Sequence, residues 1–242
     1  MKRTIAVIQA RMGSSRLPGK IMEPLHDDVS LLACQCRRLR HIEGVDELVI
    51  ATTTARRDDR IAALARAEGL RVCRGSEEDV LSRFIAAADM TLADTLVRIT
   101  SDSPFRDPGV IARCVAEHHA HGAEYTRPKA GHLPQGMRAE VIEARVLRQL
   151  DARDDITARD REHVTIHLRE HPEAYRCLDV SFPAELHHPD WDLSVDTAEE
   201  LDFVRLIHRQ LAERKLPTDV AHICTLLAEF EADARQHQDT AS

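Results

Sequence analysis

Strand-like and helix-like patterns alternate from the N-terminus through the first half of this chain, and little else constrains its fold so strongly. Thr4–Gln9 reads as a buried strand with Ile5-Ala-Val-Ile8 at its centre, and 30–41 as a helix with Leu31, Leu32 and Leu39 on its inner face. A second strand is expected over 47–52, then an Ala-rich helix over 58–69 ending in Gly, where helices often stop. A short third strand, 70–73, leads to a helix running to 89, with Ser76 as N-cap and acidic residues in its first turn. Thr95–Thr100 is the fourth strand, and Asp107-Pro108 pairs an N-cap with proline at the first helical position, opening a helix to about 121. This alternation predicts βαβ units and an α/β fold with a mainly parallel sheet. Ligands of such sheets sit at the C-terminal ends of the strands, where the loops after Gln9, Thr52 and Thr100 converge.

The second half is less regular. Short strands are expected over 124–127 and 137–142, around a Gly/Pro-rich excursion at 128–136. Helices over 143–152 and 158–170, a strand over 176–181 and a strand end at 191–196 follow. Thr197-Ala-Glu-Glu200 has the form of a capping box opening a helix to 214, and a last helix is expected over 220–231. With no repeat, low-complexity linker or composition break, the chain reads as one domain over 1–235 with a polar tail at 236–242.

A net charge of −8 and a pI near 6.0 argue against a general nucleic-acid binder. Aromatic residues are only 3%, so the core must be built from Ala, Val, Leu and Ile. Six cysteines without a CxxC pair read as reduced thiols. No stretch has the length of a membrane span or a signal-peptide core, so a cytoplasmic protein without membrane association is expected. The histidines at 118, 119, 121, 187 and 188 lack cysteine or further carboxylate at zinc-ligand spacing, which disfavours zinc there.

The loop after the first strand, Gln9-Ala-Arg-Met-Gly-Ser-Ser-Arg-Leu-Pro-Gly-Lys20, carries the chemistry. Although the chain is acidic, positions 1–20 contain no Asp or Glu. Glycines let backbone N–H groups close on phosphate oxygens, while Arg11, Arg16 and Lys20 offset their charge. It is not a Walker A loop: Gly13 and Gly19-Lys20 enclose five residues, one of them Pro18, and Ile21 stands where a magnesium-binding hydroxyl belongs. Asp102 and Asp196 each follow an apolar strand on the same expected edge. Two such carboxylates suit Mg²⁺, which takes few protein oxygens and completes its octahedron with phosphate and water.

The loop resembles the A-R-x-x-S-x-R-L-P-G-K segment of the cytidylyltransferase group of GT-A-like nucleotidyltransferases, and is most similar to the branch named for spore coat polysaccharide biosynthesis protein F. Gly75-Ser-Glu-Glu-Asp-Val-Leu-Ser-Arg83, Arg98-Ile-Thr-Ser-Asp-Ser-Pro104, Arg161-Glu-His-Val-Thr165 and Ser194-Val-Asp-Thr197 are similar to further motifs of that branch. Ser101 and Ser103 replace its usual Gly and Cys beside Asp102, which bears on substrate preference. The resemblance implies a Rossmann-like three-layer α/β/α fold with a small dimerisation or lid arm at about 124–185, and a homodimer. It also implies transfer of CMP from CTP to a sugar or sugar acid for surface polysaccharide or glycan synthesis, with release of pyrophosphate.

On that reading Arg16, Lys20 and Asp102 are catalytic, and Asp102 and Asp196 hold Mg²⁺. Gln9, Ala10, Arg11, Gly13, Ser14, Thr52, Thr53, Gly75 and Ser76 bind the nucleotide. Arg127, Glu140 and His163 are candidates for the small sugar acceptor, and Arg127 or Arg138 could supply a cationic pocket for a sugar acid's carboxylate. Two rival readings stay open: a GT-A glycosyltransferase that consumes a nucleotide sugar, and a nucleotide-binding module without catalysis. The first generally carries a DxD motif, which Asp102-Ser-Pro104 is not; the second fits poorly with both aspartates beside a full loop.

Overall fold

The computed structural model describes residues 2–14 and 16–240, the last four by backbone alone; Ser15 and the final two residues of the expected polar tail lie outside the described residues. Parallel strands β1 (Thr4–Gln9), β4 (Glu47–Thr53) and β5 (Arg71–Gly75) are joined through helices α1 (Leu31–Arg38) and α2 (Asp59–Ala67). A short hairpin, β2 (Pro24–His26) and β3 (Val29–Ser30), precedes α1. Helix α3 (Val80–Thr91) then carries the chain back to β6 (Thr95–Thr100) on the other side of β1. The chain thus winds outward from β1 in one direction and then in the other, which leaves a crevice at the C-terminal ends of β1 and β6.

After α4 (Pro108–Ala120), the strands β7 (Tyr125–Pro128), β8 (Glu140–Glu143) and β9 (Cys177–Val180) extend the same sheet in the order β5-β4-β1-β6-β8-β7-β9. Only β8 runs against its neighbours. Between β8 and β9 lie α5 (Ala144–Asp151), α6 (Ala158–His163) and α7 (Ile166–Glu170). Helices α8 (Ala198–Glu213) and α9 (Val220–Thr240) complete the chain.

Alternation along each strand divides the core. Ala6, Ile8, Ile50, Val97 and Ile99 face α1, α2 and α4, whereas Ile5, Val7, Val49 and Leu96 face α3 and α5. The result is the three-layer α/β/α sandwich. A third apolar cluster joins α8 and α9 to Leu25, Leu31, Phe105 and Val195, and so docks the C-terminus beside the crevice. No helix among the described residues is long and apolar enough to cross a membrane.

Several expectations are corrected. Asp79, not Ser76, caps α3: its carboxylate accepts from Ser82 N–H, while the Ser76 hydroxyl accepts from Asp79 N–H in the preceding turn. The helix expected over 158–170 is two, broken at Val164, whose φ of 58° is costly for a β-branched residue. Segment 191–196 is not a strand and makes one isolated bridge, Asp192 to Gln135. The last helix runs to Thr240, well past 231, through residues such as Ala, Arg and Gln that favour helix. The histidine at 118 is buried and bonded to Thr126 and Glu143, a structural role.

Candidate functional site

Gln9 and Thr100 end neighbouring strands in direct register, so the loops that leave them share one edge. The phosphate-type loop is pinned to that edge by its backbone. Ala10 N–H donates to the Ala51 carbonyl at 3.0 Å, and Met12 N–H to Asp58 Oδ1 at 2.8 Å. Gly19, at φ 78°, turns the chain and donates to the Met12 carbonyl, after which Lys20 opens a short 3₁₀ turn with its stem buried. The ammonium therefore projects to Asp196 Oδ1 at 2.5 Å, and Arg16 Nη2 reaches the other oxygen of the same carboxylate at 2.5 Å.

The loop after β6 is held as firmly. Buried Gln35 on α1 donates to the carbonyls of Thr100 and Ser103 at 2.9 and 2.8 Å. The Asp102 carbonyl accepts from Val195 N–H at 2.8 Å, which ties the segments bearing the two aspartates together. Burial opposes ionisation of Asp102. Hydrogen bonds from Thr100 and Ser103 and the charges of Arg106 and Lys20 outweigh it and lower the carboxyl's pKa. Ser103 thus does useful work as a donor to Oδ1 at 2.9 Å.

These parts enclose a cleft of about 810 Å³. Gln9, Ala10, Arg11, Gly13, Ser14, Arg16, Lys20, Asp102, His163 and Asp196 all line it. Thr52, Thr53, Gly75 and Ser76 do not. Thr52 and Thr53 are fully buried, and the Thr53 hydroxyl bonds to Asp58, the residue that holds Met12. Gly75 has a steric role: a Cβ there would come within 2.9 Å of Arg83 Cγ. Arg127 and Glu140 lie in an adjoining pocket of about 240 Å³, which shares Arg98 and Thr100 with the cleft.

The sequence reading missed several arginines. Arg83 is 2% exposed, lines the cleft, and leaves Nε and Nη1 without a partner among the described residues. A buried guanidinium so placed favours a ligand that accepts hydrogen bonds. Arg98 bridges the two cavities, donating to Gln9 Oε1 at 3.1 Å and to Glu140 at 2.7 Å. Arg106 lies in the smaller pocket with Nε unpartnered among the described residues, and burial lowers its pKa to about 10. Arg138, expected from the sequence as a candidate partner of an acceptor carboxylate, lines the same pocket, and Arg169 completes its cationic lining. Of the arginines not foreseen, Arg83 and Arg98 had position as their one sequence signal, each standing at an end of a quoted motif.

Glu140 is the anion that organises the smaller pocket. It accepts from Arg98, from Thr165 Oγ1 at 2.9 Å and from the Tyr125 hydroxyl. Burial alone would raise its pKa, but Arg98 and Tyr125 bring it down. The break at Val164 lets one short motif serve both cavities, with His163 on the cleft and Thr165 on Glu140.

A cationic loop at a topological switch point, opposite two carboxylates, is an arrangement suited to a polyphosphate and a divalent cation, as a nucleotidyltransferase needs. The family model for cytidylyltransferases matches residues 5–215. The chain is 33% identical to spore coat polysaccharide biosynthesis protein SpsF of Bacillus subtilis, over 94% of this chain and 95% of that protein. It is 36% identical to the 3-deoxy-manno-octulosonate cytidylyltransferase of Acinetobacter baumannii over 40% of this chain and 39% of that one. A solved cytidylyltransferase from Leptospira borgpetersenii superposes with a TM-score of 0.87 at 25% identity, covering 96% of both chains. The chain belongs to the cytidylyltransferase family.

Proposed function

We propose that this protein transfers CMP from CTP to an anionic sugar acceptor, a sugar acid, with release of pyrophosphate, and so supplies an activated sugar for surface polysaccharide. The observation that carries the reading is the adjacency of the two cavities, a cleft with Arg16, Lys20 and Asp102 opening through Arg98 onto an arginine-lined pocket. The larger holds the triphosphate and the smaller the acceptor. An acceptor hydroxyl attacks the α-phosphorus in line, the bond to the β-phosphate oxygen breaks, and pyrophosphate departs. Arg16 and Lys20 leave Asp196 for the phosphates and offset the charge that gathers on the departing group. Arg106, Arg138 and Arg169 hold the acceptor's carboxylate, while Glu140 keeps Arg98 in place between the substrates.

The donor set suits a divalent cation of the Mg²⁺ type. Asp102 is an ionised carboxylate whose hydrogen bonds among the described residues fall on Oδ1, and Asp196 becomes available when its two cations move to phosphate. When bound, the ion polarises phosphoryl oxygens and screens their charge. We further propose a cytoplasmic homodimer in which the 124–185 region serves as arm or lid.

Incubation with CTP, Mg²⁺ and a panel of sugar acids is the direct test, with pyrophosphate release as the readout. Turnover that needs both CTP and a sugar acid is the expected result. Hydrolysis of an added nucleotide sugar without pyrophosphate formation from CTP would instead establish the glycosyltransferase reading. Binding of CTP without turnover across the panel would establish the non-catalytic one.

A further inference from the structure

His26 at the end of β2, Cys34 on α1 and His208 on α8 come together outside the nucleotide cleft, and one ligand atom from each lies within 4.8 Å of the other two. We propose that these three side chains form a binding site for a thiophilic transition-metal ion of the Zn²⁺ class, with one coordination position left open. Two imidazoles and a thiolate are the donors such ions favour over the oxygen ligands preferred by Mg²⁺.

The geometry needs small adjustments. Zinc bonds of about 2.0–2.1 Å to nitrogen and 2.3 Å to sulfur place tetrahedral ligands about 3.5 Å apart, so the donors need draw in by no more than about 1.3 Å. The two imidazoles are stacked, with centroids 4.3 Å apart and planes within 7°. Their in-plane lone pairs therefore lie in parallel planes, and one ring must turn about its χ2 bond for them to converge. The surroundings permit this. The side chains of Cys34 and His208 make no hydrogen bond among the described residues, and cavities of about 420 and 450 Å³ flank the pair of rings.

The outer partners also suit a metal. Asp27 Oδ2 lies 3.4 Å from His26 Nδ1, the arrangement by which a carboxylate orients a ligating imidazole through its other nitrogen. The nearby arginines are already compensated: Arg37 pairs with Glu68 at 2.7 Å, and Arg38 donates to the Arg106 carbonyl at 2.7 Å and pairs with Asp107. A bound ion would clamp the β2–β3 hairpin and α1 to α8, the helix that follows Asp196. It would stabilise the fold without entering the reaction.

The test uses the full chain, kept reduced and freed of metal, titrated with Co²⁺ as a spectroscopic stand-in for Zn²⁺. We expect one equivalent to produce a thiolate-to-cobalt charge-transfer band that Zn²⁺ abolishes, and Zn²⁺ to raise the melting temperature. Cys34→Ser loses the band, His208→Asn weakens binding at least tenfold, and Cys177→Ser, at an exposed thiol elsewhere, behaves as wild type. Far-UV circular dichroism checks that each variant is folded. An ion held by Asp102 and Asp196 gives no thiolate band. Absence of the band in wild type, or its persistence in folded Cys34→Ser, would overturn the proposal.

Discussion

Lys20 Nζ and Asp196 Oδ1 meet at 2.5 Å although 176 residues separate them. Arg16 holds the other oxygen of the same carboxylate, so three charged groups meet at one point. On the proposed function, substrate binding exchanges these partners. Asp196→Asn frees both cations, so CTP binding in the presence of EDTA should equal or exceed that of wild type, while turnover with divalent metal falls about 10²-fold. Lys20→Ala should lower kcat/KM by about 10²–10³-fold. Calorimetric titration beside steady-state kinetics separates the two effects; parallel loss of CTP affinity in Asp196→Asn would contradict the exchange.

The smaller pocket makes a claim about the acceptor. Arg127 is paired with Asp179, and Arg138 donates to the Leu133 carbonyl, whereas the Arg169 side chain makes no hydrogen bond or ion pair among the described residues. Arg169→Ala should raise the acceptor KM about 10–100-fold, the weight of a hydrogen bond to a charged group, with the CTP KM unchanged. A rise in the CTP KM instead would assign Arg169 to the nucleotide.

Acid stability follows from Glu143. Burial would raise its pKa, but the hydrogen bonds from His118 and Lys2, with their charges, outweigh it and bring the pKa down to about 2. A carboxyl that is more acidic folded than unfolded stabilises the fold fully above the unfolded pKa, about 4.3. That contribution is lost as pH falls from there toward 2. Glu143→Gln should therefore cost about 2–3 kcal/mol at pH 7 and progressively less as pH falls through that window, read from urea midpoints. An equal cost at pH 7 and pH 3 would refute it.

Gly136 is a point of close steric approach between the smaller pocket and the segment leading to Asp196. Its φ is 87°, and a Cβ there would stand 2.8 Å from the Leu193 carbonyl carbon, a backbone atom that cannot step aside. Gly136→Ala should destabilise by at least about 2 kcal/mol in denaturant unfolding. A neutral result would mean that this loop repacks freely.

Local signals in the sequence fared well wherever one element explains itself. Strands β1 and β6 lie at the expected residues, Asp107-Pro108 caps α4, and Thr197 with Glu200 forms the capping box of α8. Each depends on alternation or on a cap within a few residues. The break at Val164 was hidden because Val164 and Leu168 continue an apolar helical spacing through it; both are buried in the α3 and α5 layer. The end of α9 was hidden because its polar residues are also good helix formers.

The sequence by itself determined the βαβ frame, the cationic loop and the edge on which Asp102 would stand, because backbone pattern and loop composition are local properties. Tertiary structure decided which side chains share a space. It turned Thr53 inward to Asp58, brought Arg83, Arg98 and Arg106 to the cavities, and set Asp196 against Lys20 and Arg16. It also gathered His26, Cys34 and His208 from three separate elements. The physical reason is common to all of these. Periodicity says which face of an element is buried, but the packing of the layers decides what that face meets.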